Sequence, residues 1–331
     1  MPRAIALYSG GLDSTLAVLV MRRLGIDVTA VLFDIEFGCG VSRRSGFKAD
    51  SPGFEVETYY LGDKFIELVK NPKFGHGKNM NPCIDCKILM LKEARQLMLE
   101  RGTDFLITGE VLGQRPMSQR RDVLPRIEKE AGVAGLVVRP LSGKLMKPTI
   151  PEEKGWIDRE KLYAISGRSR KMQIALAAEF GLTEYPQPAG GCLLTDPTFS
   201  SRLRELLSCN PAPSMREIRL LRVGRHFRTD DGRKIVVGRD EADNLALANL
   251  VKAGDYVLQV DGDYGSPLVL AEAGISEEGL RLAAEFCARY SAARKLPSVK
   301  IKITMDEESY PVEVKPAAEE MIERYRLWGI G

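Results

Sequence analysis

Through the first half of the chain, short apolar runs alternate with longer mixed stretches. Residues 4–8 and 28–33 read as buried strands, and the segment from Asp13 to Leu24 between them reads as a helix. Gly25 stands where a helix C-cap glycine belongs. Asp34 follows the second strand, at the carboxyl edge where open α/β sheets hold ligands. Residues 58–61, 105–108 and 136–139 supply further short strands, with helical stretches such as 84–101 between them. A βαβ order of this kind predicts a doubly wound parallel sheet of the α/β class.

The pattern breaks at Tyr185-Pro186-Gln187-Pro188-Ala189-Gly190-Gly191 and, after a short basic helix, again at Asn210-Pro211-Ala212-Pro213. Further on, residues 234–237, 256–260 and 300–304 read as strands and 277–293 as an amphipathic helix. The expected organisation is a nucleotide-binding α/β domain over residues 1–185, a loop and linker over 186–213, and a smaller α+β domain over 214–331.

Composition agrees with two domains: 331 residues, 44% hydrophobic and 28% charged, can bury a sizeable core. No apolar stretch approaches the roughly 20 residues that a membrane-spanning helix needs, and Met1-Pro2-Arg3 lacks the layout of a signal peptide. A cytoplasmic protein with no membrane partner is expected, and a homodimer is left open. The net charge of +3 is small, but residues 200–239 hold ten Lys and Arg against four Asp and Glu. That local excess, which includes Arg225 and Arg228, reads equally as a phosphate-facing surface or as a solvated charged face.

The first strand runs into Ser9-Gly10-Gly11-Leu12-Asp13-Ser14. Glycines let backbone N–H groups approach oxygens, the helix N-terminus adds positive potential, and Ser9 and Ser14 offer hydroxyls, which is what a phosphate site requires. The segment is neither a Walker A loop nor a G-x-G-x-x-G fingerprint. A bare Gly-Gly turn is more often only a tight connection, and its neighbours have to carry the functional reading.

Of six cysteines, Cys83 and Cys86 lie three positions apart in Asn81-Pro82-Cys83-Ile84-Asp85-Cys86-Lys87, at the start of a helix whose dipole favours the thiolate. Cys192 follows Gly190 and Gly191 much later. Three thiols suit a persulfide relay or a cluster with one open position; structural zinc would want a fourth ligand, and the chain offers only His76 and His226. Cys39 reads as a neighbour of the phosphate loop, and Cys209 and Cys287 as structural.

Together, the Ser-Gly-Gly-Leu-Asp-Ser loop, the Asn-Pro-Cys-x-x-Cys-Lys segment and Thr108-Gly109-Glu110-Val111-Leu112-Gly113-Gln114 resemble the PP-loop ATP pyrophosphatases, and among them the tRNA sulfurtransferases. The third motif is most similar to the tRNA 4-thiouridine synthetases, and the second is shared with the 2-thiouridylases. From Val223-Gly224-Arg225-His226-Phe227-Arg228 onward the chain distantly resembles the RNA-binding module of the NFACT proteins. The resemblance implies ATP and Mg²⁺ bound by Ser9, Gly10, Gly11, Asp13 and Ser14, with Asp34, Lys87, Gly109 and Glu110 nearby. It implies tRNA thiolation, in which a uridine oxygen is adenylated and then replaced by sulfur. The catalytic residues would be Asp13, Cys83 and Cys192, with Cys83, Cys86 and Cys192 as ligands if a [4Fe-4S] cluster is used. Gln114, Arg115, Arg168, Arg170, Lys171, Arg225 and Arg228 are the expected tRNA contacts, and the sulfur donor is sulfide or a persulfide carrier.

The 4-thiouridine synthetases usually carry a THUMP region, and some a rhodanese domain. Neither is recognised here, so RNA contact is expected from the C-terminal domain, from residues 167–171 or from a partner. Two other readings stand beside this one: a PP-loop enzyme that sulfurates or amidates a small molecule, and an RNA-binding adaptor with structural zinc.

Overall fold

The computed structural model describes residues 1–38, 53–185 and 192–327, and it divides into two compact units, Met1–Asp196 and Pro197–Gly331. The helix α7 (Pro197–Cys209) falls in the second unit, within the stretch expected to be linker.

The first unit is built on a five-stranded parallel sheet in the order β3-β2-β1-β4-β5. Its strands are β1 (Arg3–Leu7), β2 (Asp27–Asp34), β3 (Val56–Tyr60), β4 (Phe105–Thr108) and β5 (Val137–Val138). Helices α1 (Leu12–Arg23), α2 (Gly62–Lys70), α3 (Cys83–Arg101), α4 (Val123–Ala131), α5 (Ile150–Glu153) and α6 (Lys171–Glu179) connect and flank them. This is the expected doubly wound α/β arrangement. The central strands are apolar throughout because both faces are covered: Ala4, Ile5, Phe105, Leu106 and Ile107 are fully buried. Burying each large side chain contributes about 1.5–3 kcal/mol. The order reverses between β1 and β4, and at such a switch point the loops beyond the carboxyl ends diverge and leave a crevice.

The second unit contains α7, α8 (Met215–Leu220), α9 (Glu241–Ala248), α10 (Glu277–Tyr290) and α11 (Glu319–Tyr325). Its antiparallel sheet, in the order β11-β10-β8-β9-β7-β6, comprises β6 (Arg225–Arg228), β7 (Lys234–Val237), β8 (Tyr256–Val260), β9 (Val269–Ala271), β10 (Val299–Met305) and β11 (Glu308–Val314). The expected α+β class holds, but β6, β9 and β11 escaped the sequence pattern. The helix expected to reach residue 293 ends at Tyr290, because Ser291 is extended (φ −87°, ψ 170°). No helix among the described residues is long and apolar enough to cross a membrane.

Candidate active site

The segment Ser9–Ser14 leaves β1 at the switch point and opens α1. Gly10 is left-handed (φ 76°), a conformation glycine adopts without a Cβ penalty. Ser14 Oγ donates to Gly11 O at 2.8 Å and accepts from Ser9 N at 3.2 Å, which closes the loop on itself. Gly11, the N-cap residue, has no side chain to cap the helix, so the first-turn amides face the crevice with the positive end of the helix dipole behind them.

Gly109, just past β4, packs directly on this loop. A Cβ there would lie 2.6 Å from the carbonyl C and O of Asp13 and from Cα of Ser14. Gln114 Nε2 donates to Asp13 Oδ2 at 3.0 Å, while Asp13 Oδ1 is buried with no hydrogen-bond partner among the described residues. A buried carboxylate oxygen left unsatisfied beside a phosphate-type loop fits a Mg²⁺–nucleotide ligand.

The neighbouring Glu110 is buried and its carboxylate is engaged on all sides: Thr108 Oγ1 at 3.2 Å, Arg139 Nε at 3.0 Å and Lys87 Nζ at 3.5 Å. Burial by itself would raise this carboxyl, but Lys87 and Arg139 outweigh it and hold it below the usual carboxylate range. Glu110 therefore tethers Lys87 beside the loop. Arg139, which also pairs with Glu128 at 2.5 Å, was missed from sequence because it reads as the polar end of a strand. Asp34 closes β2, with Oδ1 accepting from Glu36 N at 3.0 Å.

Lys87 lies one turn beyond Cys83 on α3, so both are on one helix face. The turn before Cys83 carries the cysteine site. Cys83 Sγ donates to Asn81 Oδ1 at 3.2 Å, and Asp85 accepts from the amides of Lys73 and Phe74, both at 3.0 Å, tying the preceding loop to the helix. Onto this turn docks the segment that follows Cys192. Met80 N donates to Leu194 O at 3.1 Å and Asn79 Nδ2 to Thr195 O at 2.8 Å. Cys192 Sγ itself donates to Phe37 O, just past β2, at 3.2 Å. The structure thus brings Cys192 and Cys83 into adjoining segments although most of the first unit separates them in sequence.

Among the described residues, no group of three His, Cys, Asp or Glu is arranged to hold a metal ion. Of the expected cluster ligands Cys83, Cys86 and Cys192, the first and last donate to oxygen acceptors in this structure. His76 Nε2 is bonded to Val69 O at 2.8 Å. Cys39, Gly190 and Gly191 lie outside the described residues.

The expected tRNA contacts fall into two groups. Gly167 N donates to Leu112 O at 2.8 Å, so Arg168, Arg170 and Lys171 stand beside the turn that carries Gln114 and Arg115. In the second unit part of the basic excess over residues 200–239 is engaged internally. Arg216 pairs with Asp255, Arg239 with Asp243, and Arg228 with Glu205. Arg228 also donates to Gly232 O at 2.6 Å. Arg225 is half-buried, with its guanidinium carbon 4.6 Å from the Tyr290 ring centroid.

Comparison with known proteins finds a match in each unit. Residues 2–152 match the family model described as thiamine biosynthesis protein (ThiI). The five-stranded parallel sheet of the first unit is consistent with a PP-loop α/β fold. Residues 224–326 match the NFACT protein RNA binding domain. A probable tRNA sulfurtransferase of Methanosarcina mazei is 28% identical over 34% of this chain and 29% of its own. A tRNA-specific 2-thiouridylase of Xanthobacter autotrophicus is 27% identical over 56% of this chain and 49% of its own. The chain therefore spans less than half the length of these relatives. A solved 4-thiouridine synthetase–RNA complex with bound ATP matches at 22% identity, over 56% of this chain and 54% of that one, with a TM-score of 0.33.

Proposed function

We propose that the chain is an ATP-dependent tRNA sulfurtransferase of the cytoplasm that replaces a uridine oxygen with sulfur, 4-thiouridine being the favoured product. The observation that carries this reading is the run of contacts from the phosphate loop through Gly109, Glu110 and Lys87 to the turn shared by Cys83 and the Cys192 segment. It supports a nucleotide-type site with two thiols in neighbouring segments of the same unit.

In this reading the α1 amides and Ser9 hold phosphate oxygens, Lys87 balances their charge, and Asp13 and Gln114 orient the nucleotide. Mg²⁺, held through Asp13, would neutralise charge on the leaving pyrophosphate. The uridine oxygen attacks the α-phosphorus, pyrophosphate leaves, and the base becomes adenylated. A persulfide carrier supplies a sulfane sulfur to one cysteine. That sulfur attacks the activated carbon and expels AMP. A second cysteine thiolate then attacks the enzyme-side sulfur, releasing the thiocarbonyl and leaving a disulfide that a thiol reductant must reopen. Arg168, Arg170, Lys171 and Arg115 are the proposed tRNA contacts of this unit.

The test is mass spectrometry of nucleosides from tRNA incubated with the protein, ATP, Mg²⁺ and a persulfide donor. Thionucleoside should appear with the native chain and vanish with Cys192→Ala, while Cys192→Ala still releases pyrophosphate from ATP. ATP turnover by the native chain without any thionucleoside would sink the tRNA reading and favour a small-molecule substrate.

A further inference from the structure

At the carboxyl edge of the first unit's sheet, four charges of alternating sign form a chain: Lys87, Glu110, Arg139 and Glu128. The pairing of Ile107 with Val138 sets Thr108 and Arg139 side by side at that edge, and Glu128 reaches them from α4. Glu110 divides its two oxygens. Oε2 accepts from Thr108 Oγ1 and Arg139 Nε, whereas Oε1 stands 3.5 Å from Lys87 Nζ. A charge-assisted N–H···O bond spans about 2.7–2.9 Å, so Glu110 holds Lys87 by attraction without taking up one of its donors. The Lys87 ammonium makes no hydrogen bond with any described residue. Arg139 is the anchor on the inner side. Its Nη1 donates to Glu128 Oε1 at 2.5 Å, Glu128 Oε2 accepts from Gly135 N at 3.2 Å, and Nη2 is buried with no hydrogen-bond partner among the described residues. A buried ion-pair chain with one unsatisfied nitrogen stabilises a fold no better than apolar side chains of the same volume, so stability does not account for this arginine.

We infer that Arg139 is a positioning residue for the nucleotide: by holding Glu110 through its far oxygen, it stations Lys87 beside the phosphate loop with its three donors left for phosphate oxygens. Without the guanidinium, the Glu110 carboxylate is released to draw Lys87 into a direct hydrogen-bonded pair, and the donors turn away from the nucleotide. Glu128 contributes by fixing the second arm of Arg139, which a lysine at that position could not offer to two carboxylates at once. Arg139 touches neither substrate nor phosphate and acts only through Glu110 and Lys87. The inference deepens the nucleotide-site reading above and rests on it.

The experiment measures pyrophosphate release by the full chain with tRNA over a range of ATP concentrations, and the Kd for ATP by equilibrium dialysis. Arg139→Met should raise KM and Kd for ATP together, about 10- to 100-fold, the range expected for one hydrogen bond to a charged group. Lys87→Ala should raise them similarly, and adding Arg139→Met to it should raise them no further, because the arginine acts through that lysine. Arg139→Met combined with Glu128→Met removes both partners of the inner pair, so it should recover the thermal stability that Arg139→Met loses while keeping the weak ATP binding. Native-like ATP binding by Arg139→Met would overturn the inference and leave the nucleotide site standing. So would a full additional loss in the Lys87→Ala background, or a Met–Met variant that regains ATP affinity along with stability, since either would make the role of Arg139 structural alone. A native chain that neither binds ATP nor releases pyrophosphate would remove the nucleotide-site reading together with the inference.

Discussion

A β-carbon at Gly109 would meet the backbone of Asp13 and Ser14 at 2.6 Å, and backbone cannot step aside as a flexible side chain can. Gly109→Ala should therefore displace the phosphate loop, lower AMP formation by about 100-fold and cost about 1–3 kcal/mol of stability. Paired thermal denaturation and pyrophosphate-release assays check both. His226 supplies a second residue-scale prediction. It is buried, Nε2 bonds to Val223 O at 2.8 Å, and Nδ1 has no partner among the described residues. Burial, with Arg202 and Lys234 adding to it, holds its pKa well below the ordinary 6.5. The folded state then stays neutral where the unfolded chain takes up a proton, so stability is full above the unfolded value and declines as pH falls below it. The slope approaches about 1.4 kcal/mol per pH unit. Denaturant titrations from pH 7.5 to 5.5 should show this loss, and a flat profile would contradict it. Sequence reasoning foresaw neither the His226 environment nor the fate of Cys209. Cys287 is buried, as its structural reading implied, and burial pushes its thiol up to about 12. Cys209 is exposed, and so does not fill a core position.

At the scale of elements, the start of α3 gathers Cys83, Asp85, Cys86 and Lys87, and Asp85 anchors it by accepting two amides. Asp85→Ala leaves two N–H groups without their acceptor, which costs about 1–3 kcal/mol. It should lower thionucleoside yield several-fold more than pyrophosphate release, because the loop it ties down leads to the cysteine turn and not to the phosphate loop. Measuring both products on the same samples tests this, and an equal loss of both would refute it. The missed strands have readable causes. In β11 only Val314 is fully buried, so no alternating pattern exists to detect, and Pro311 is tolerated because the strand is at the sheet edge. The buried pair His226 and Phe227 of β6 is flanked by arginines.

At the scale of the molecule each sheet packs on hydrophobic clusters of its own unit. ATP at 100 times its Kd should stabilise the phosphate-loop unit by about 2.7 kcal/mol. Hydrogen exchange should show the added protection in β1, α1 and β4; protection confined to the second unit would contradict the assignment of the nucleotide site.

What the sequence by itself determined was local. The apolar runs specify the parallel strands, and Ser9–Ser14, Gly109 and the Cys83–Cys86 spacing are each legible because their chemistry needs particular residue types at short separations. Tertiary structure alone decided which distant pieces meet. It set Cys192 beside the cysteine turn and spent Arg216, Arg228 and Arg239 on internal carboxylates. The physical reason is that burial pattern and backbone preference are encoded within a few residues. Ion pairing and docking depend on which surfaces the closed chain brings within hydrogen-bond reach.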